Sequence, residues 1–156
     1  MKPGTIIKKG LINCGISHFN IIEHVNGLLK YGHWLRNQKI KVHFAKREEL
    51  YDLVNGSVGS ISYDFLEFGV FKGRSIKYWV EIGTNPQNRF FGFDTFTGLP
   101  EAWDTGLSTD PKGKFNVDGK LPQIADNRVK FIKGKFQETL GDFLVDYKPQ
   151  EQLIFI

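Results

Sequence analysis

The chain has 156 residues, of which 40% are hydrophobic, and carries a formal net charge of +4. That length suffices for one domain with a real core, and no stretch approaches the ~18–20 apolar residues of a membrane span. The single cysteine, Cys14, excludes an internal disulfide and a cysteine-built zinc cluster; the basic residues are scattered, with no basic stripe of interleaved aromatics, so a cytoplasmic protein without a nucleic-acid or membrane surface is expected.

Residues 1–15 read as an irregular arm, and Lys8, Lys9 and Gly10 interrupt any apolar signal segment. Ser17 is placed to cap a helix over 18–36, with Phe19, Ile22, Val25, Leu28, Leu29 and Trp34 on one face. His18, His24 and His33 are not at i, i+4 spacing with each other, which favours surface or packing roles over metal binding. A second helix is expected over Lys46 to Val54, with Glu48, Glu49 and Asp52 on its solvated side, before Gly56 and Gly59 punctuate the chain. Residues 1–60 are thus read as an arm and helical cap, which either packs over the cofactor side of the domain at 61–156 or forms a homo-oligomer contact.

From 61 to 156 the pattern is that of an α/β domain with a sheet of about four parallel strands. Ile61 to Phe68 is rich in β-branched and aromatic residues and reads as a buried strand. From Ser75 the residues Ile76, Trp79, Val80 and Ile82 fall near helical spacing, with Trp79 in the core. Between them lie Gly69 and Gly73, residues that tolerate positive φ and let a ligand approach the backbone. Arg89 to Asp94 is a second apolar strand ending in an acid, and its distance from Glu67 fits one strand-helix-strand crossover. An acid at the tip of the second strand is placed to bind the two hydroxyls of a ribose. The first turn is Gly-x-x-x-Gly, lacking the middle glycine that makes room for a pyrophosphate in dinucleotide sites. An adenosyl ligand without phosphates suits it better.

The stretch from Thr95 to about Asn127 is long and without a periodic pattern, hence either a lid or binding loop, or a disordered surface insertion. Its aspartates match no calcium loop. Val129 to Gly134 is a third strand; a helix opens at Phe136 and continues through Phe143, Leu144 and Tyr147 to a stop at Pro149. Gln152 to Ile156 reads as a fourth strand, central and covered on both faces, in which the chain stops; the expectation is the front part of a longer protein.

The run Phe65-Leu66-Glu67-Phe68-Gly69-Val70-Phe71-Lys72-Gly73-Arg74-Ser75, followed by Phe91-Gly92-Phe93-Asp94-Thr95-Phe96-Thr97-Gly98-Leu99-Pro100, resembles the class I S-adenosylmethionine-dependent methyltransferases. More narrowly it is similar to the macrocin O-methyltransferase (TylF/MycF-like) family, which methylates sugar hydroxyls of antibiotics. The likeness runs from about Asp64 to Ile156 and implies a Rossmann-like methyltransferase sheet. By that resemblance Glu67, Gly69, Val70 and Gly73 form the turn beside the methionine part of S-adenosyl-L-methionine, with Arg74 and Ser75 beneath its carboxylate. Asp94 takes the ribose hydroxyls, Thr95 and Phe96 flank the adenosine, and Gly134-Lys135-Phe136 contacts the adenine. For Arg74 a surface charge, and for Phe96 and Phe136 a place in the core, remain alternatives. The family's magnesium ligands follow the fourth strand, so any magnesium would be held by residues beyond Ile156.

The implied reaction is methyl transfer to a hydroxyl of a small molecule, such as a sugar of a natural product. Such a hydroxyl needs a general base or a metal, and no residue here presents itself as the base, the four histidines His18, His24, His33 and His43 included. Two other classes stay open: a non-catalytic module binding adenosyl ligands, and an NAD-dependent oxidoreductase, against which the missing glycine argues.

Overall fold

The computed structural model describes residues 18–38, 44–106 and 108–156, which fall into two compact units, one within Met1–His43 and one over Phe44–Ile156. The first contains a helix, α1 (His18–Asn37), matching the expected span to one residue. Of the residues expected on one face, Val25, Leu28, Leu29 and Trp34 are exposed, and Tyr31 stacks on Trp34 with ring centroids 5.8 Å apart. His33 Nε2 lies 3.1 Å from Asn37 Nδ2, a surface role. The arm over 1–15, the Ser17 cap and His43 lie outside the described residues, as do the side chains of His18 and His24.

The second unit opens with α2 (Arg47–Val58) and then builds the sheet: β1 (Tyr63–Phe68), α3 (Arg74–Ile82), β2 (Arg89–Asp94), a short antiparallel pair β3 (Trp103–Asp104) and β4 (Thr109–Asp110), β5 (Val129–Lys133), α4 (Phe136–Asp146) and β6 (Gln152–Phe155). The four long strands are all parallel, in the order β5-β2-β1-β6. Phe65 sits between Phe90 and Ile154 across the sheet, and Phe93 is opposite Ile132.

The alternation of β1 separates two cores. Tyr63 and Phe65 point to the face covered by α3, where Trp79 lies 5.0 Å from the Phe65 ring centroid. Leu66 points to the other face with Phe91 and Phe93, against Leu140, Phe143 and Tyr147 of the α4 region. The second helix runs four residues beyond the expected Val54 because Val54 and Val58 join Tyr51 against the first core. Of its acids Glu49 and Asp52 are exposed as expected, Asp52 accepting from the Tyr78 hydroxyl at 2.8 Å, whereas Glu48 is half-buried and pairs with Arg74 of α3 at 2.6 Å.

Two buried arrangements lock this frame. Asp64, fully buried on β1, accepts twice from Arg89 at 2.6 Å, from the Tyr147 hydroxyl at 2.7 Å and from the Gln150 N–H at 3.0 Å. Arg128 caps the end of α3, donating to the carbonyls of Val80, Gly83 and Asn85 while paired with Asp126.

The strand expected over 152–156 is present as β6 (Gln152–Phe155), parallel to its neighbour. It pairs with β1 alone among the described residues; Ile154 is buried, but Leu153 and Phe155 are 41% and 58% exposed. The crossover through α4 carries the chain from β5 past β2 and β1, so β6 pairs with the far side of β1.

The stretch from 95 to 127 is neither periodic nor shapeless. Leu99 N–H donates to Lys114 O and Gly113 N–H to Leu99 O, both at 2.9 Å, and Val117 and Gly119 both donate to Phe96 O. Gly98 sits where this zipper is tightest: a Cβ there would meet the carbonyl oxygens of Gly113 and Lys114 at 2.5 Å. Val117 and Ile124 then dock on the first core.

Candidate functional site

The strands β1 and β2 end side by side, and the chain leaves each in a turn that needs unusual backbone. Gly69 donates its N–H to Phe93 O at 2.9 Å and has φ +101°. Gly73 has φ +73°, and a Cβ on it would meet the Pro122 ring at 2.7 Å. Phe71 and Phe96, not glycines, also have positive φ, 53° and 57°. Such residues are strained and cluster where surrounding structure holds them.

What holds both is Asp94. Its Oδ2 accepts the Phe71 N–H at 2.7 Å and its Oδ1 the Phe96 N–H at 2.8 Å. One carboxylate thus ties the glycine turn after β1 to the segment after β2. Each oxygen has a second lone pair, so Asp94 keeps acceptor capacity for a ligand.

Above this joint lies an open cavity of about 970 Å³. Gly69, Asp94 and Thr95 are on its floor, Phe68 and Phe136 on one side, and Phe71, Phe115 and Trp103 on another. Phe68 and Phe136 meet edge to face at 5.5 Å, as do Phe71 and Phe115. Leu99, Pro100 and the start of α4 complete the rim. The volume is that of a typical small-molecule site, apolar with a few polar groups, at the C-terminal ends of parallel strands where α/β sheets bind ligands.

Of the residues singled out from sequence, Gly69, Asp94, Thr95 and Phe136 border the cavity. The Thr95 side chain also closes its own turn, accepting from Thr97 N–H at 3.2 Å. Gly134 lies behind, its N–H on Asp94 O at 3.0 Å. Val70 and Phe96 are core side chains, 4% and 0% exposed. Arg74 is turned away and paired with Glu48, its side chain 74% exposed. Ser75 is buried at the start of α3, 3.5 Å from Arg47 Nη1.

Glu67 is 5% exposed and its Oε2 has no hydrogen-bond partner. Burial pushes its carboxyl up to about 7, against the pull of the Ile76 N–H and the Ser75 hydroxyl and with a further push from the charge of Asp94. A buried acid with a free oxygen beside an open turn is a group waiting for a polar partner. An adenosyl cofactor fits these observations: Gly69 has nothing within 4 Å of where a Cβ would stand, and Glu67 and Asp94 supply acceptors.

Sequence reasoning missed Phe71, Trp103 and Phe115. Phe71 sits inside the glycine turn, and its positive φ has no sequence signal; Phe115 reaches the cavity only through the zipper of the 95–119 segment. Among the described residues there is no cluster of three metal-ligating side chains, and no helix long and apolar enough to cross a membrane.

No family model and no curated protein matches the chain. Solved structures do. The calicheamicin methyltransferase CalS11 superposes with a TM-score of 0.53 at 21% identity, over 100% of this chain and 68% of that one. A ligand-free structure of CalS11, described as a TDP-rhamnose 3′-O-methyltransferase, matches at a TM-score of 0.41 and 21% identity, covering 94% of this chain and 63% of that one. Cofactor-bound Rv0187 from MTB matches at 0.42 and 16%, over 76% and 45%. The likeness to CalS11 shows the fold, a Rossmann-like α/β sheet.

Proposed function

We propose that the chain binds S-adenosyl-L-methionine and serves methyl transfer to a hydroxyl of a small molecule, with a sugar as the favoured acceptor. One observation carries this reading: Asp94 joins both loops under an open cavity while keeping acceptor capacity at the tip of the second strand. The fold shared with a calicheamicin methyltransferase, and the resemblance to the macrocin O-methyltransferase family, support the same direction. Homo-oligomer formation, a cytoplasmic location and a role for magnesium belong to the same proposal.

The cofactor, when bound, supplies a methyl group on a sulfonium. The chain's part is positional. Gly69 lets the ligand lie close to the backbone, Asp94 takes the ribose hydroxyls, and Phe136 packs against the base. Phe71, Phe115 and Trp103 offer an apolar face on which a sugar ring can lie. The acceptor oxygen must then stand in line with the transferred carbon.

The test is the melting temperature with S-adenosylhomocysteine and, separately, with NAD. Saturation to about a hundred times the dissociation constant adds ~2.7 kcal/mol, a rise of ~5–10 °C at this size. A rise with S-adenosylhomocysteine alone supports the reading; a rise with NAD alone replaces it with the oxidoreductase.

A further inference from the structure

We infer that the N-terminal edge of the sheet carries a second ligand site, for an uncharged, hydroxyl-bearing small molecule such as a neutral sugar or polyol. In it Asn88 donates to a ligand hydroxyl and Tyr63 accepts from it. The site stands at the opposite end of β1 and β2 from the larger cavity and does not depend on the adenosyl reading.

Tyr63 opens β1, and Asn88 directly precedes β2. Both border a cavity of about 330 Å³, within the range of small-molecule sites. Asn88 is 2% exposed; its Oδ1 accepts the Tyr63 N–H at 3.1 Å, and its Nδ2 has no partner among the described residues. That bond fixes the amide, since the inverted form would set NH2 against N–H. The orphan is therefore a donor, and a buried donor calls for an acceptor. The Tyr63 hydroxyl gives its proton to Asn55 Oδ1 at 3.0 Å. Burial pushes this phenol up to about 12, so it stays protonated, with lone pairs left to accept. The two groups meet at Gly83: a Cβ there would collide with Tyr63 Oη and stand 3.1 Å from Asn88 Nδ2. Gly83 has φ −83°, which any residue adopts, so the neighbouring side chains, not the backbone, require a glycine.

The lining decides the ligand class. No charged side chain borders the cavity. Arg128 reaches its wall through the carbonyls of Gly83 and Asn85, and its other donors are taken by Val80 O and Asp126. An anion finds no free cation there, and a cation no carboxylate. One hydroxyl satisfies both orphans, accepting from Asn88 and donating to Tyr63, and Ser60 and Thr84 offer hydroxyls to its neighbours on the same ligand. The rim is tied in advance: Asn85 Nδ2 donates to Ser60 O, and its Oδ1 accepts the Gln87 N–H, both at 2.9 Å.

The experiment titrates the whole 156-residue chain with myo-inositol and methyl β-D-glucopyranoside, followed by amide NMR. Glucuronate and glucosamine serve as charged counterparts. The neutral probes should shift the Asn88 side-chain NH2 and the Gly83 and Thr84 N–H signals saturably, and the charged ones should bind more weakly by over about fivefold. Asn88→Asp removes the donor and keeps the acceptor for Tyr63 N–H; it should abolish the response. Thr84 is exposed, so Thr84→Leu spares the fold and should weaken the neutral probes by about fivefold, the worth of one hydrogen bond. No saturable shift with either neutral probe overturns the inference and leaves water as the partner of Asn88. Equal binding of the charged probes, or shifts unaltered by Thr84→Leu, overturns it as well.

Discussion

Asp94 holds Phe71 in a left-handed backbone conformation: the Phe71 N–H meets Oδ2 at 2.7 Å, with φ at 53°. The other oxygen does the same for Phe96. The neutral amide of Asp94→Asn has one oxygen for two N–H groups. The variant should lose about 1–3 kcal/mol, ~2–10 °C in melting temperature, and bind S-adenosylhomocysteine more weakly by over about tenfold. Unchanged melting and unchanged affinity together would show that the joint is incidental.

Glu67 gives a pH dependence with a definite sign. Its carboxyl is raised from the ordinary value of 4.5 to about 7 by burial. A raised acid contributes stability that is full below about 4.5 and is lost as pH rises through about 7. Glu67→Gln, which mimics the protonated form, should flatten the fall in melting temperature between about pH 4.5 and 7, by up to ~3 kcal/mol. An unaltered pH profile in that variant would contradict this assignment.

Asp64 is fully buried, and Arg89 is its cationic partner. Arg89→Met leaves a buried carboxylate with only the Tyr147 hydroxyl and the Gln150 N–H. The expected cost is about 3–5 kcal/mol, read as a shift of the urea midpoint. Adding Asp64→Asn to the variant should restore part of it, since the unpaired charge is then gone.

Gly69 and Gly98 both have positive φ, but substitution should separate them. At Gly98 a Cβ meets two carbonyl oxygens at 2.5 Å, so Gly98→Ala should destabilise the chain and raise amide exchange over 113–119. At Gly69 a Cβ meets nothing within 4 Å. Gly69→Ala should cost only the backbone strain, ~1–2 kcal/mol, while cutting cofactor affinity, because the added methyl stands on the cavity floor.

The sheet was legible because its signals are local. Arg89–Asp94 and His18–Asn37 are fixed by apolar periodicity, and the strands over 63–68 and 129–133 differ from expectation by a residue or two at their ends. The order of the strands was not, because an apolar run such as Leu153-Ile154-Phe155 states that a strand is wanted and says nothing about which strand it joins. The candidate site divides in the same way. Gly69 and Asp94 announce themselves by residue type and spacing, but the partners of Asp94 are backbone N–H groups, which carry no sequence identity.

The partners of Asp64 also set an order in time. The acid lies on β1, yet Arg89, Tyr147 and Gln150 arrive 25, 83 and 86 residues later. Until the last of them leaves the ribosome, a charged group sits in the middle of an otherwise dry strand, and water must stay with it. β1 is therefore sealed only after the segment that follows α4 has docked, and a chain halted before Tyr147 should remain an open, protease-sensitive sheet.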